Sequence, residues 1–339
     1  MTPRERVIRT LNHQPVDRAP RELWTLPGVN MTRAEEVRAL LARYPMDFAA
    51  PKYRYGQGRR ARGKPYEGGT YTDAWGCTWH VAERGVIGEV KEPPLADWSA
   101  LARWRPPFEL LDEADLSEVN RSCAETDCFV KVGTESRPFE RAQFLRGSEA
   151  LFCDLAWGTR EARDLLRILH DFYCREMRMW AATDVDGVSF MDDWGSQTSL
   201  LISPAVWRDL FKPLYREYCA ILHEKGKRAF FHSDGHIAAI WPDLAEIGID
   251  ALNSQLFCMD IEDLGRRFAG MITIWGEIDR QHVLPFGTVA EVRAAVRRVR
   301  RAFDRGCGGV IAECEWGLNV PAENVAAVFD EWEKPGETS

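Results

Sequence analysis

From about residue 125 onward, short runs of β-branched and aromatic residues alternate with amphipathic stretches long enough to form helices. This alternation is typical of repeated β-strand/α-helix units, which pack as a parallel sheet covered by helices. The sequence therefore predicts an α/β protein with the architecture of a (β/α)8 TIM barrel. Strands are predicted at 129–133, 187–191, 228–232, 251–254, 272–276 and 310–312, and helices at 161–183, 204–225, 237–247 and 289–305.

The first 124 residues have a less regular rhythm, with turns rich in proline and glycine. They are predicted to supply the first barrel strand, near 20–24, and a β-containing elaboration with strands around 71–80 and 84–90. No low-complexity linker and no long-period repeat divides the chain. We therefore expect one barrel domain over 1–339, with 1–124 as the N-terminal elaboration plus first strand and 125–339 as the remaining units.

Composition narrows the class of protein. The net charge is -8, which disfavours a nucleic acid or an anionic membrane as partner. No run of apolar residues approaches the length of about 18 needed for a membrane span, and the N-terminus lacks the pattern of a secretory signal. The nine cysteines are expected to be reduced thiols. These features predict a cytoplasmic enzyme acting on a small molecule.

Polar and ionisable clusters follow four of the predicted strands, where a parallel barrel carries its active site. Asp192 and Asp193 follow one strand, His232 and Asp234 lie at the end of the next, and Glu277 and Cys314 follow later ones. Asp192, Asp193, His232 and Glu277 are the predicted catalytic residues, as general acids or bases. For the two aspartates, the alternative that at least one caps a helix remains open.

His232, Asp234 and Cys314 form a predicted metal site. Imidazole, carboxylate and thiolate are all ligands of zinc, and three protein ligands leave one position open for chemistry. The alternative is a histidine hydrogen-bonded to an aspartate, with a core cysteine nearby. Spacing alone does not decide between them.

Several aromatic and polar residues near predicted strand ends are candidates for substrate binding. An aromatic wall suits an aromatic or methylated cationic substrate, and an arginine clamps a carboxylate. Core packing and loop ion pairs are the alternatives. The predicted substrate-binding residues are Trp24, Trp75, Arg137, Trp194, Gln197, Trp275 and Trp316.

Taken in order, a set of segments gives the chain a resemblance to the uroporphyrinogen decarboxylase superfamily, in which decarboxylases and cobalamin-linked methyltransferases share one barrel. The segments run through almost the whole chain. They are 2–7, 17–20, 72–77, 192–197 with 203–204, 232–235, 275–279 with 284–288, and 308–309 with 321–324.

The resemblance is closer to the methyltransferase branch than to true uroporphyrinogen decarboxylases. The arginine-rich segment of the decarboxylases is replaced by 20–24 here. The methyltransferases carry a His-x-Cys pair and a later cysteine as zinc ligands. His232 and Cys314 match the first and last of these, and Asp234 stands in place of the middle cysteine.

The resemblance implies a methyltransferase component that uses zinc or another divalent metal. It would exchange a methyl group between a methoxylated aromatic, a methylamine or a thiol and a separate corrinoid protein that carries cobalamin. A homodimer is a further implication. Two alternatives stay open: a metal-free decarboxylase-like lyase acting on a small carboxylated substrate, and a non-catalytic ligand-binding barrel.

Overall fold

The computed structural model describes residues 1–334. The strands are β1 Arg21–Thr25, β2 Phe48–Ala49, β3 Gly69–Thr72, β4 Thr78–Val81, β5 Glu89–Glu92, β6 Phe129–Gly133, β7 Gly187–Met191, β8 Arg228–Ser233, β9 Ala251–Ser254, β10 Thr273–Trp275 and β11 Val310–Trp316. The helices are α1 Pro3–Leu11, α2 Pro27–Thr32, α3 Ala34–Arg43, α4 Glu109–Asp112, α5 Val119–Ala124, α6 Pro138–Arg146, α7 Ser148–Trp157, α8 Arg160–Ala181, α9 Pro204–Leu210, α10 Lys212–Glu224, α11 Trp241–Glu246, α12 Ile261–Phe268, α13 Val283–Phe286, α14 Val289–Phe303 and α15 Ala322–Glu333.

Eight strands form a nearly closed parallel barrel in the order β1-β11-β10-β9-β8-β7-β6-β2, with helices around it. The prediction of a (β/α)8 barrel is confirmed. β6, β7 and β9 have the predicted bounds, because their apolar runs are bounded by turn residues. β2 was not predicted, since two residues are too few to show a pattern.

The predicted helix 204–225 is two helices, α9 and α10. Ser203 caps the first by accepting a hydrogen bond from the Val206 backbone N–H at 3.2 Å. Pro213 has no N–H to donate to the backbone four residues earlier, and its ring clashes with that carbonyl. The chain therefore breaks at Phe211 and starts a new helix with the proline in its first turn.

The seam between β1 and β2 is closed by Asp47, which is buried. Its backbone N–H donates to the Arg21 carbonyl at 3.0 Å, and its own carbonyl accepts from the Phe129 N–H at 2.9 Å. Its carboxylate accepts hydrogen bonds from Arg6 at 2.5 Å and from Arg18 at 2.6 Å. One residue thus joins both sides of the barrel.

The barrel interior and the layer under the helices hold separate apolar clusters. The interior cluster contains Phe129, Phe230, Trp275 and Ile311 from the strands, and Val7 and Leu11 from α1. α1 therefore fills the N-terminal end of the barrel. Alternate residues on the same strands, such as Phe231 on β8, pack outward against the helices.

The predicted β-containing elaboration is a three-stranded antiparallel sheet of β3, β4 and β5. It packs on α6, where Trp79 lies edge-on to Phe144 with ring centroids 4.8 Å apart. Within residues 1–334, no helix combines the length and apolar character that crossing a membrane requires.

Candidate active site at the C-terminal end of the barrel

The loops after β7 and β8 are held together at a pair of glycines. The Gly195 N–H donates to the Asp234 carbonyl at 3.0 Å, and the His236 N–H donates to the Ser196 carbonyl at 2.7 Å. Gly235 has a φ of 80°, and a Cβ on it would lie 2.1 Å from the Gly195 oxygen. Only glycine permits this approach, so the two loops present their polar residues at one place.

His232, Asp193 and Asp234 meet at this place. The His232 Nε2 lies 3.5 Å from a carboxylate oxygen of each aspartate. The ligand atoms of the three residues all lie within 4.8 Å of one another. His232 itself is buried, whereas the Asp193 side chain is 41% exposed. The group therefore opens toward solvent on its aspartate side.

Asn253 on β9 fixes the state of the His232 ring. Its amide nitrogen donates to the Trp275 carbonyl at 2.6 Å and to Glu313 at 3.2 Å. Its oxygen therefore faces His232, whose Nδ1 lies 2.6 Å away and must carry the proton. The Nε2 lone pair is left free toward the two aspartates. Such a partner on the far ring nitrogen is usual for metal-binding histidines.

Arg280 borders the group on the other side. Its guanidinium pairs with Asp234, with Glu277 at 2.9 Å and with Glu315 at 2.7 Å. Burial raises the pKa of Glu277 to about 8, and Arg280 opposes this effect only in part. Arg280 and Glu277 also line a cavity of about 60 Å³ whose wall includes Gln197 and Gln255.

The floor of the site is an aromatic enclosure around Lys131. Its ammonium lies 3.7 Å from the centroid of the Trp275 ring and 2.9 Å from a Glu22 oxygen. Burial lowers the pKa of Lys131, while Glu22 opposes the change. Trp24 connects this floor to the group above, since its ring centroid lies 5.5 Å from that of His232.

A family model for uroporphyrinogen decarboxylase (URO-D) matches residues 70–334, well over half of the sequence. The chain belongs to the uroporphyrinogen decarboxylase family. No curated protein matches it in sequence. A methyltransferase from Methanosarcina mazei is similar in structure, with a TM-score of 0.68 and 16% identity over 98% of each chain. An endo-beta-1,4-xylanase from Gloeophyllum trabeum has a TM-score of 0.48 and 12% identity over 96% of this chain and 99% of its own.

At 16% identity, the Methanosarcina mazei methyltransferase shows a shared fold for this URO-D family member. The predicted ligand Cys314 does not lie with His232 and Asp234. β11 alternates, so that Glu313 and Glu315 reach Asn253 and Arg280 inside the barrel. Cys314 packs outward in the core cluster under the helices. Asp193, predicted as catalytic, takes the third place in the group.

Asp192 serves the fold of this URO-D barrel. Its carboxylate accepts backbone hydrogen bonds from Phe139 at 2.9 Å and Glu140 at 2.8 Å, at the start of α6. The Tyr215 hydroxyl donates to it at 2.6 Å. All of these contacts are buried or nearly so, which agrees with the alternative that one aspartate of the pair caps a helix.

The predicted tryptophans divide into two sets. Trp24 and Trp275 lie in the barrel interior beside the site. Trp75, Trp194 and Trp316 are buried in the cluster outside the barrel, where they pack against other rings and side chains. These three indoles belong to the core and leave no face for a substrate.

Arg137 and Glu140 lie at the start of α6, with Arg137 Nη1 3.8 Å from a Glu140 oxygen. Burial, followed by the charge of Asp193, raises the pKa of Glu140 to about 7. Glu140 was not among the predicted site residues, nor were Asn253, Lys131 and Arg280. Lys131 left a signal in the sequence, because a lysine inside an apolar barrel strand needs a buried partner.

Proposed function

We propose that this URO-D family protein is a metal-dependent methyltransferase component. It would move a methyl group between a small methylated compound or a thiol and a corrinoid protein that carries cobalamin. The observation that carries the proposal is the group of His232, Asp193 and Asp234, with the histidine Nε2 free. This geometry supports a metal site at the barrel mouth.

The residues present fit a divalent cation. The Asp234 Oδ1 is buried and accepts no hydrogen bond, and a buried carboxylate oxygen without a partner is costly. A cation between this oxygen, Asp193 and the His232 Nε2 would satisfy it. One nitrogen and two oxygens suit zinc, and also harder divalent metals such as manganese.

When bound, the metal would act as a Lewis acid toward the atom that carries or receives the methyl group. The chain's own residues prepare that position. Asn253 keeps the His232 proton on Nδ1, and Arg280 forms an ion pair with Asp234 Oδ2, the oxygen that does not face His232. Glu277, with a pKa of about 8, retains its proton at neutral pH and is placed to donate it into the cavity beside Arg280.

The pairing of Arg280, Lys131 and Arg21 favours methyl transfer over decarboxylation. A carboxylated substrate needs a cation that is free to bind it. Arg280 already pairs with the carboxylates of Asp234 and Glu315, and Lys131 is paired with Glu22. Arg21 of β1, the strand that replaces the arginine-rich segment, pairs with Glu333 outside the barrel. The site mouth is acidic, which suits a neutral or cationic methyl donor.

The first experiment measures metal content and methyl transfer together. Chelator-treated protein is reloaded with zinc and incubated with free methylcobalamin and small thiols, and demethylation of the corrinoid is followed by absorbance. We expect zinc-dependent transfer that His232→Ala and Asp234→Ala reduce by at least about 100-fold, since each removes a ligand. His80→Ala, at an exposed position on β4, is the matched control.

Asn253→Ala tests the positioning of the ring separately. It removes no ligand, so zinc should still bind, but about 10 to 100-fold more weakly because the ring is free to turn. Asn30→Ala, on exposed α2 surface, should leave zinc affinity unchanged. Full methyl transfer by metal-free protein would contradict the proposal. So would zinc binding that is unchanged in His232→Ala, or release of carbon dioxide from a carboxylated compound that requires His232.

A further inference from the structure

A second cluster of metal-ligating side chains lies outside the barrel, between α8 and α10. His170 and Cys174 are four residues apart on α8, so they lie one above the other on the same face of that helix. Glu217 faces them from α10. Their ligand atoms all lie within 4.8 Å of one another.

We propose that His170, Cys174 and Glu217 form a binding site for zinc or a chemically similar metal ion, and that this site bridges α8 and α10 on the outer surface of the barrel. Thiolate and imidazole together favour zinc over magnesium or calcium, which prefer oxygen ligands. The site is independent of the function proposed for the barrel mouth.

The distance between the Cys174 sulfur and the His170 ring nitrogen agrees with a tetrahedral centre. Typical bond lengths for zinc to sulfur and nitrogen separate the two ligand atoms by about 3.6 Å in such a centre. The Cys174 sulfur lies 3.5 Å from the His170 Nε2 and 3.7 Å from its Nδ1. A turn of the ring about its soft χ2 torsion directs the Nε2 lone pair between the sulfur and Glu217. The His170 Nε2 and the Glu217 oxygen, now 2.9 Å apart, would separate by about 0.5 Å to admit the ion.

Neighbouring residues contact two of the ligands. The Tyr218 hydroxyl lies 3.2 Å from the His170 Nδ1 and can accept its proton, which leaves Nε2 for the metal. Arg178 donates to one Glu217 oxygen at 3.3 Å, so the other oxygen faces His170. Each contact acts on the atom that does not bind the ion.

Exposure also suits a metal site. The Glu217 side chain is 47% exposed, so an ion and a water ligand can reach the cluster. Cys174 is buried beneath it, and burial raises the pKa of its thiol to about 12. A thiol of this kind is a poor nucleophile, but a metal displaces its proton on binding. The cluster is therefore better suited to hold an ion than to carry out covalent chemistry.

Cobalt(II) provides the first test, because a cobalt–thiolate bond gives a charge-transfer band in the near ultraviolet. Reduced, chelator-treated full-length protein is titrated with cobalt. We expect the band in the unaltered protein and its loss in Cys174→Ser. Cys153→Ser, at an exposed free cysteine, and Cys314→Ser should both retain it. The group at the barrel mouth contains no cysteine and contributes no such band.

Zinc-dependent melting provides the second test, since Cys174 is buried and its replacement can weaken folding. Both proteins compared carry His232→Ala, which removes the metal site at the barrel mouth. Zinc should raise the Tm of this parent variant but not that of the double variant that also carries His170→Gln. Tyr218→Phe should bind zinc about tenfold more weakly. The proposal is overturned if the cobalt band is absent, if it survives Cys174→Ser, or if zinc stabilises His170→Gln as much as its parent.

Discussion

Arg280 and Glu277 show how individual charges are balanced at the barrel mouth. The Arg280 Nε lies 2.9 Å from a Glu277 oxygen, yet neither oxygen of Glu277 takes part in an aligned hydrogen bond. The guanidinium is shared with Asp234 and Glu315. Glu277 thus receives too little compensation for its burial and keeps its proton to about pH 8.

This state predicts a specific pH dependence of stability. An unfolded chain ionises Glu277 near pH 4.5, whereas the folded protein holds the proton to about pH 8. Between these values the folded state binds more protons, so the free energy of unfolding falls as pH rises. Glu277→Gln has no proton to lose. Its free energy of unfolding relative to the unaltered protein should therefore increase between pH 5 and pH 9, by at most about 5 kcal/mol.

Urea unfolding at pH 5, 7 and 9 measures this difference. Glu323→Gln, at an exposed position in the first turn of α15, is the control and should show no such trend. A Glu277→Gln difference that stays constant across this range would contradict a protonated Glu277.

For individual residues, the sequence predicted where polar residues lie along a strand better than it predicted which way their side chains point. Cys314 and Glu315 both follow an apolar run. They differ in the face of β11 that their side chains occupy, because successive residues of a strand point to opposite faces. Glu315 is in register with Trp24, which faces the interior, while Cys314 is in register with Leu23, which faces outward. Register depends on how β1 and β11 pair, and a single strand does not contain that information.

At the scale of elements, the loops after β7 and β8 act as one unit because their glycines touch. Most predicted barrel strands ended within one residue of the observed bounds, since apolar runs and turn residues mark them locally. Exceptions include β11, which runs to Trp316 and not 312, and the strand predicted at 71–80, which is the two strands β3 and β4. The contact between Gly195 and Gly235 is between segments 40 residues apart in sequence. Nothing in either loop alone indicates which other loop it meets.

Gly235→Ala tests this unit. The alanine would have a strained positive φ and a methyl group 2.1 Å from the Gly195 oxygen, so we expect a loss of about 3 kcal/mol or more in the free energy of unfolding. Gly226 has a similar φ of 68° but no atom near its absent Cβ. Gly226→Ala should cost only about 1 kcal/mol. Denaturant unfolding compares the two, and equal losses would show that the loop contact contributes nothing.

At the scale of the whole molecule, the barrel depends on Asp47 for closure. Arg6 and Arg18, which lie in two of the segments that carry the family resemblance, both donate to its carboxylate. Sequence indicated the family from these segments but not their structural role, because Asp47 lies in an irregular stretch beside the unpredicted β2. The seam is formed by contacts distant in sequence.

Asp47→Ala should destabilise the protein by about 3 to 5 kcal/mol, because it leaves two arginines near the seam without their shared partner. Asp17→Ala removes a half-exposed partner of Arg6 and should cost about 1 kcal/mol or less. Chemical denaturation of both variants measures the difference. Similar losses in the two would indicate that the seam is held by other contacts.

The position of α1 limits how reactants enter and leave the site. With Val7 and Leu11 filling the N-terminal end and Lys131 enclosed by aromatic rings above them, the barrel is closed at its N-terminal end. Whatever reaches His232 must leave through the opening by which it came. Two reactants too large to share that opening must therefore bind one after the other. In steady-state kinetics, each would act as a competitive inhibitor of the other.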